Sequence, residues 1–290
     1  MKNIKIKARL LVINYIRHLI YKRFRHYAWP RRLSTRLFDF DYYYQSDNES
    51  SGMVKRVNIG AGPYFKRSGW ASADYMPYFK GGRSDLIHLD LLEHPDKFPF
   101  ENLEAIYTSH TLEHFHVNWT RRLIKSAYNS LDHGGYFRIV VPDARLVLEK
   151  VRTNDLEYFK FFESFFINHK TARIDVYDYG LHFLCQQLCR FDRINVRENS
   201  GNEYLKKLIS VKTDDEIVNE LNDHDFVNDN IGTYHLSCYT DTLLIKLLKE
   251  AGFSNVYKSE FMKSNYGPMR EAPIFDGTHP WLSLYVEAVK

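Results

Sequence analysis

The chain has 290 residues, 44% hydrophobic and 16% aromatic, enough apolar material for one enlarged α/β domain and too much for a disordered chain. No apolar run approaches the ~18–20 residues that span a bilayer. The three cysteines, Cys185, Cys189 and Cys238, are too few and odd in number for a disulfide framework, so a cytoplasmic location is expected. The net charge of +4 hides an asymmetry: residues 1–38 carry eleven lysines and arginines and no acid, which leaves −7 for the rest.

In chain order, Ile6, Leu10, Ile13, Ile16, Ile20 and Phe24 recur at helical spacing, while Lys7, Asn14, His18, Lys22 and Arg25 fall largely elsewhere on the helix. This predicts a basic amphipathic helix over about residues 5–26. Such a helix either caps the fold or makes peripheral contact with the inner face of an anionic membrane. A signal peptide is disfavoured, because Asn14, Arg17 and His18 interrupt the apolar region and no small-residue cleavage site follows. Nucleic acid is not an expected partner, since the basic cluster has no reader motif and the body of the chain is acidic. An aromatic and acidic connector, Phe38 to Tyr44, and a polar linker, Gln45 to Gly52, lead into the first strand.

Strands are expected near 55–59, 70–74, 85–89, 104–109, 135–141, 254–261 and 281–288, and helices near 117–131 and 239–251. Strands alternating with helical patterns predict a Rossmann-like, mostly parallel seven-stranded sheet, closed by an antiparallel C-terminal edge hairpin around Gly267 to Thr278. The organisation expected is a basic helix and linker over 1–52, a sheet domain over 53–143 plus 234–290, and a helical cap insertion over 144–233. The insertion is rich in rings, among them Tyr158, Phe159, Phe161, Phe162, Phe165, Phe166, Tyr177, Tyr179, His182 and Phe183, most of which are read as core. Cys185 and Cys189 are helically spaced but have no matching ligand pair, so they are read as packing residues. The acidic stretch Asp214 to Asp229 is read as a lid or a solvated surface.

The motifs that carry chemistry begin at Val57-Asn58-Ile59-Gly60-Ala61-Gly62-Pro63, an apolar run that breaks into a Gly-x-Gly turn. Glycines let backbone approach a ligand without a Cβ in the way, and a carboxylate at the end of the next strand, here Asp74, can accept hydrogen bonds from ribose hydroxyls. Behind it stand Asp90 after Leu86 to Leu89, a strand from Ala105 to His110, and Asp132-His133-Gly134-Gly135 leading into Tyr136 to Val141. Only seven residues, Pro63 to Gly69, separate Gly62 from Trp70, too few for a crossover helix. Without that helix a pyrophosphate has no N-terminal seat, which disfavours a dinucleotide.

The ordered series resembles the class I S-adenosylmethionine-dependent methyltransferases, most closely the group whose fourth-strand motif reads Ser-His-x-Leu-Glu-His, here Ser109-His110-Thr111-Leu112-Glu113-His114. The likeness covers about residues 54–143 and resumes near Tyr234, where Leu243-Leu244 to Ala251-Gly252-Phe253 looks like the last helix and turn before the final hairpin. It implies S-adenosylmethionine as cofactor, held by Asn58, Gly60, Ala61 and Gly62 in the first turn, Asp74 on the ribose, Asp90 and Leu91 at the adenine edge, and Ser109. No metal is expected in this reading. Methyl transfer to a small-molecule or glycan acceptor follows, with a sugar hydroxyl in surface-polysaccharide assembly as the leading expectation. A hydroxyl acceptor gains from a general base, and the candidates are His110 at the end of strand four, Asp143 at the end of strand five, and His235 beyond the insertion.

Two other classes are kept. His110-Thr111-Leu112-Glu113-His114 also spells an inverted zinc-hydrolase motif, which requires His110 and His114 on one helix face with Glu113 as base. Against it, His110 falls where a strand is expected to end. The third reading is a non-catalytic partner protein that binds the donor.

Overall fold

Seven apolar stretches form one sheet in the computed structural model, which describes residues 54–62, 65–75, 86–91, 95–96, 98–163, 176–177, 180, 200–223, 235–271 and 274–290. The expected basic helix and linker before residue 54, the Phe165-Phe166 pair, Tyr179, residues 181–189 and the acidic residues 224–229 lie outside the described residues.

The strands are β1 (Arg56–Ile59), β2 (Ala71–Asp74), β3 (Leu86–His88), β4 (Leu103–Ser109), β5 (Leu131–Pro142), β6 (Asn255–Ser259) and β7 (Ser283–Val289), ordered β3-β2-β1-β4-β5-β7-β6. The first five pair in parallel, and β7 runs antiparallel to both β5 and β6. The mostly parallel sheet, with β7 the one reversed strand in an antiparallel C-terminal edge hairpin, is therefore as the sequence predicts. β5 starts four residues earlier than expected: Leu131 pairs with Leu103, and the register then slips before Ala105 meets Tyr136. The Asp132 to Gly135 turn is drawn into the sheet because Gly134 N–H donates to Lys290 O and Lys290 N–H to Gly135 O.

Described helices are α1 (Val117–Ser130), α2 (Ala144–Arg152), α3 (Leu156–Glu163), α4 (Ser200–Val211), α5 (Asp214–Asn222) and α6 (Asp241–Ala251). α1 and α6 cover one sheet face: Ile59, Ile106, Phe137, Ile139 and Val286 pack against Leu123, Ile124, Leu244 and Leu247, all without exposed surface. Burying each such side chain contributes about 1.5–3 kcal/mol. Their neighbours in sequence point the other way, as strand alternation requires.

That second face is covered from an unexpected source. Trp70, Tyr107, Val140 and Tyr285 pack against Phe261, Met269 and Phe275 of the β6–β7 connection, which stands where a crossover helix would otherwise lie. Phe275 meets Trp70 at 4.9 Å and Tyr107 edge-on at 5.0 Å between ring centroids. Beneath these rings lies a wholly buried Arg138. Its guanidinium forks onto Asp276 at 2.9 and 2.6 Å and reaches Ser259 Oγ at 2.9 Å and Glu287 at 3.3 Å. The two carboxylates hold Arg138 above its usual range against the opposing effect of burial. Burial, with the neighbouring Asp276, pushes the Tyr107 hydroxyl up.

The described helices of the 144–233 stretch pack in a cluster that they share with Cys238 and Leu282. Val147, Leu148 and Phe159 from the first two inserted helices meet Leu205, Leu208, Ile217 and Leu221 from the next two. The first nine residues of the acidic run form α5. Its capping box joins Thr213 and Glu216, and Arg145 grips Asp214, Asp215 and Asp241 at 3.3, 3.2 and 3.1 Å.

Candidate functional site

At the C-terminal edge of the sheet, where β1 and β4 neighbour each other and ligands of open α/β sheets bind, a cavity of about 160 Å³ opens. Its described lining includes Gly60, Asp74, Leu89, Leu91, His110, Thr111 and His114.

The glycine turn is fixed by its neighbours. Gly60 and Gly62 have φ of 68° and 62°, in the left-handed region, and a Cβ on Gly60 would stand 2.1 Å from Thr111 Oγ1. Asp74 ties this turn to β2: Oδ2 accepts from Gly62 N–H at 2.7 Å and Oδ1 from Tyr75 N–H at 2.6 Å. Each oxygen keeps a second lone pair, so a carboxylate that caps a turn still has two acceptor positions for a ligand.

β4 ends in a sharp reversal. His110 adopts φ 50°, its N–H donates to Val140 O at 2.9 Å, and a single 3₁₀ turn, Leu112–His114, follows. The reversal lays Thr111 over Gly60 and drops the Glu113 side chain into the interior with no exposed surface. The segment after the insertion docks on this turn: Leu236 and Ser237 N–H donate to Glu113 O at 2.6 and 3.1 Å, and Ser237 Oγ to Phe115 O at 2.7 Å. The Tyr239 hydroxyl donates to Leu112 O at 3.1 Å. This docking carries His235 to Glu113.

Three imidazoles consequently surround one carboxylate. His110 Nδ1 lies 3.3 Å and His235 Nε2 4.0 Å from Glu113 Oε1, and the His114 and His235 ring centroids are 4.7 Å apart at 85°. Burial pushes the Glu113 carboxyl up, but the hydrogen bond and charge of His110, with the charges of His235 and His114, outweigh it and hold it below the usual carboxylate range.

Several sequence assignments change. His110 lines the cavity, but its Nε2 faces Ser283 Oγ at 2.8 Å while the Ser283 hydroxyl has the carbonyls of His279 (2.8 Å) and Thr278 (3.1 Å) to donate to. Its Nδ1 lies 3.3 Å from Glu113 Oε1, so the imidazole stands between the Glu113 carboxylate and the Ser283 hydroxyl, which orient it. Asp143 is the N-cap of α2, accepting from Leu146 N–H at 3.2 Å, and burial raises its pKa. It is not among the described residues lining the cavity. Nor are Asn58, Ala61, Asp90 and Ser109: Asn58 points to the face opposite Val57 and Ile59, and Asp90 is flanked by two leucines that do line it. The zinc-hydrolase reading fails its geometric requirement, because His110 precedes the 3₁₀ turn at positive φ and shares no helix face with His114. What spacing could not show was the approach of Thr111 to Gly60, of Ser283 to His110 and of His235 to Glu113, all of which join distant parts of the chain.

The sheet order and its reversed seventh strand are those of the class I methyltransferase fold. No protein-family model and no curated protein matches the sequence. Among solved structures the chain is similar to an S-adenosylmethionine-dependent methyltransferase from Archaeoglobus fulgidus, with 15% identity over 94% of this chain and 99% of that one and a TM-score of 0.37. It is also similar to one from Mesorhizobium loti, with 16% identity, 82% and 92% coverage and a TM-score of 0.38. A third is PigF, solved with S-adenosylhomocysteine, with 11% identity and a TM-score of 0.37; 84% of this chain matches, spanning about half (52%) of that protein's length. Likeness at this level transfers no residue role and no substrate.

Proposed function

We propose that this chain transfers a methyl group from S-adenosylmethionine to a hydroxyl acceptor, with a sugar hydroxyl of a surface polysaccharide or its precursor as the acceptor. The reading is carried by Asp74, which lines the cavity beside the Gly60 turn and whose carboxylate keeps acceptor capacity beyond its two backbone bonds, an arrangement suited to a ribose diol. Leu89 and Leu91 supply an apolar wall for the adenine, and the crossover between β1 and β2, too short for a helix, offers no pyrophosphate seat. When bound, the donor supplies a methyl already activated on a sulfonium. The chain's part is alignment of the acceptor oxygen and exclusion of water, with His114 and Phe115 bordering the cavity on the side away from Asp74's strand.

No helix among the described residues is long and apolar enough to cross a membrane. Contact of residues 1–38 with the inner face of an anionic membrane, where lipid-linked sugars are assembled, belongs to the same proposal.

Calorimetric titration of the full chain with S-adenosylhomocysteine tests the donor site. Micromolar binding is expected, weakened about 100-fold or more in Asp74→Ala through the loss of charge-assisted hydrogen bonds. Wild-type affinity in a folded Asp74→Ala protein, or no binding by the wild type, refutes it.

A further inference from the structure

We propose that Glu113, His114 and His235 bind one divalent cation of the Zn²⁺ or Co²⁺ type at the edge of the donor cavity. Their ligand atoms all lie within 4.8 Å of one another. An ion about 2.1 Å from each draws tetrahedral ligands to about 3.4 Å, so the cluster closes by roughly an ångström on binding. Two imidazoles and a carboxylate suit such a borderline ion and leave coordination positions open.

The cluster is built into the fold rather than scattered on its surface. Glu113 is wholly buried, and backbone hydrogen bonds from Leu236 and Ser237 to the carbonyl of Glu113 itself fix the distance to His235. An ionised carboxylate in that position is costly unless a cation faces it. The near-perpendicular rings of His114 and His235 turn their edges, which carry the nitrogens, out of a stacking arrangement. His110, at 3.3 Å from Glu113 and pinned from behind by Ser283, occupies the place of an outer partner that orients a carboxylate ligand.

His114 also lines the cavity, so the ion's open positions face the acceptor side. A hydroxyl coordinated there would give up its proton to water at lower pH than a free one. That acceptor role rests on the methyl-transfer reading; metal binding does not.

The test uses the chelator-stripped full chain, titrated with Co²⁺ by visible absorption and with Zn²⁺ by calorimetry. One equivalent is expected to bind, at least 100-fold more weakly in His235→Ala and in Glu113→Gln, and about 10- to 100-fold more weakly in His110→Gln. Circular dichroism checks folding, with His235→Asn at this partly exposed position as a second variant. Absence of binding by the wild type, or wild-type affinity in the His235 variants, overturns the site and leaves a metal-free histidine–carboxylate network. S-adenosylhomocysteine binding without Co²⁺ binding refutes the metal alone; stoichiometric Co²⁺ binding without S-adenosylhomocysteine binding refutes the donor reading and leaves the metal site standing.

Discussion

Replacing Gly60 by alanine puts a methyl group 2.1 Å from Thr111 Oγ1 and 2.5 Å from its Cγ2 while the backbone holds φ at 68°. The left-handed conformation costs a residue with a Cβ about 1–2 kcal/mol. Overpacking adds about 1–3 kcal/mol, because Thr111 is held by its own hydrogen bond to Ser109 O at 3.2 Å and cannot swing freely. Urea denaturation of Gly60→Ala is therefore expected to show a loss of about 2–5 kcal/mol. The three nearest contacts all come from the Thr111 side chain, so adding Thr111→Gly removes that steric part and leaves the conformational part. The double-mutant cycle should return a coupling of about 1–3 kcal/mol, with the second substitution compensating the first. Coupling below about 0.5 kcal/mol, within ordinary additivity, would refute the view that Thr111 is what requires a glycine at position 60.

Four further outcomes are expected. Arg138→Met strands the Asp276 and Glu287 carboxylates in the interior and should cost about 3–5 kcal/mol in the same denaturation assay; a loss under 1 kcal/mol would show that the network is not a structural clasp. Asp143→Ala should lose about 1 kcal/mol with its cap, whereas Asp143→Asn keeps the cap and should bind S-adenosylhomocysteine as the wild type does; loss of binding in Asp143→Asn would place the residue in the site after all. Because the folded-state pKa of Asp143 is raised, its protonated form favours the fold, and that contribution fades as pH rises from its unfolded value through its folded one. Wild type should accordingly be more stable relative to Asp143→Asn at pH 3 than at pH 7, and a reversed order would contradict the shift. Finally, the full chain should pellet with anionic vesicles more than a chain starting at Phe38, and equal pelleting removes the membrane contact.

Much of the sheet was legible because strand alternation and glycine turns are local signals. β1 to β4 and α1 fall within two residues of their expected limits, and the expected reversal near the C-terminus is the β7 strand. The early start of β5 is not legible locally, because the bonds that draw Gly134 and Gly135 into the sheet come from Lys290, more than 150 residues away. Asp74 and the glycines stand out by their order along the chain, and the structure joins them through Gly62 N–H to Asp74. The burial of Arg138 could not, since a cationic residue within Phe137 to Val141 looks like a solvent-facing strand position until Asp276 and Glu287 are seen to enclose it. The partner of His110 was hidden for a related reason: the sequence places His110 at the ligand edge, but Ser283, 2.8 Å from its Nε2, arrives from the last strand.

The cover over the sheet's second face has a kinetic consequence. Arg56 reaches Tyr266 across 210 residues of chain, Arg67 reaches Glu271 across 204, and Asp276 N–H reaches the Tyr107 hydroxyl across 169. A crossover helix between β1 and β2 would shield the same rings through a loop of a few tens of residues. Each doubling of loop length adds about 0.6 kcal/mol of closure entropy, and non-local contacts of this reach slow folding. Shielding of Trp70, Tyr107 and Tyr285 thus depends on contacts of very long reach, and the closing of this face is expected to be a slow stage of folding.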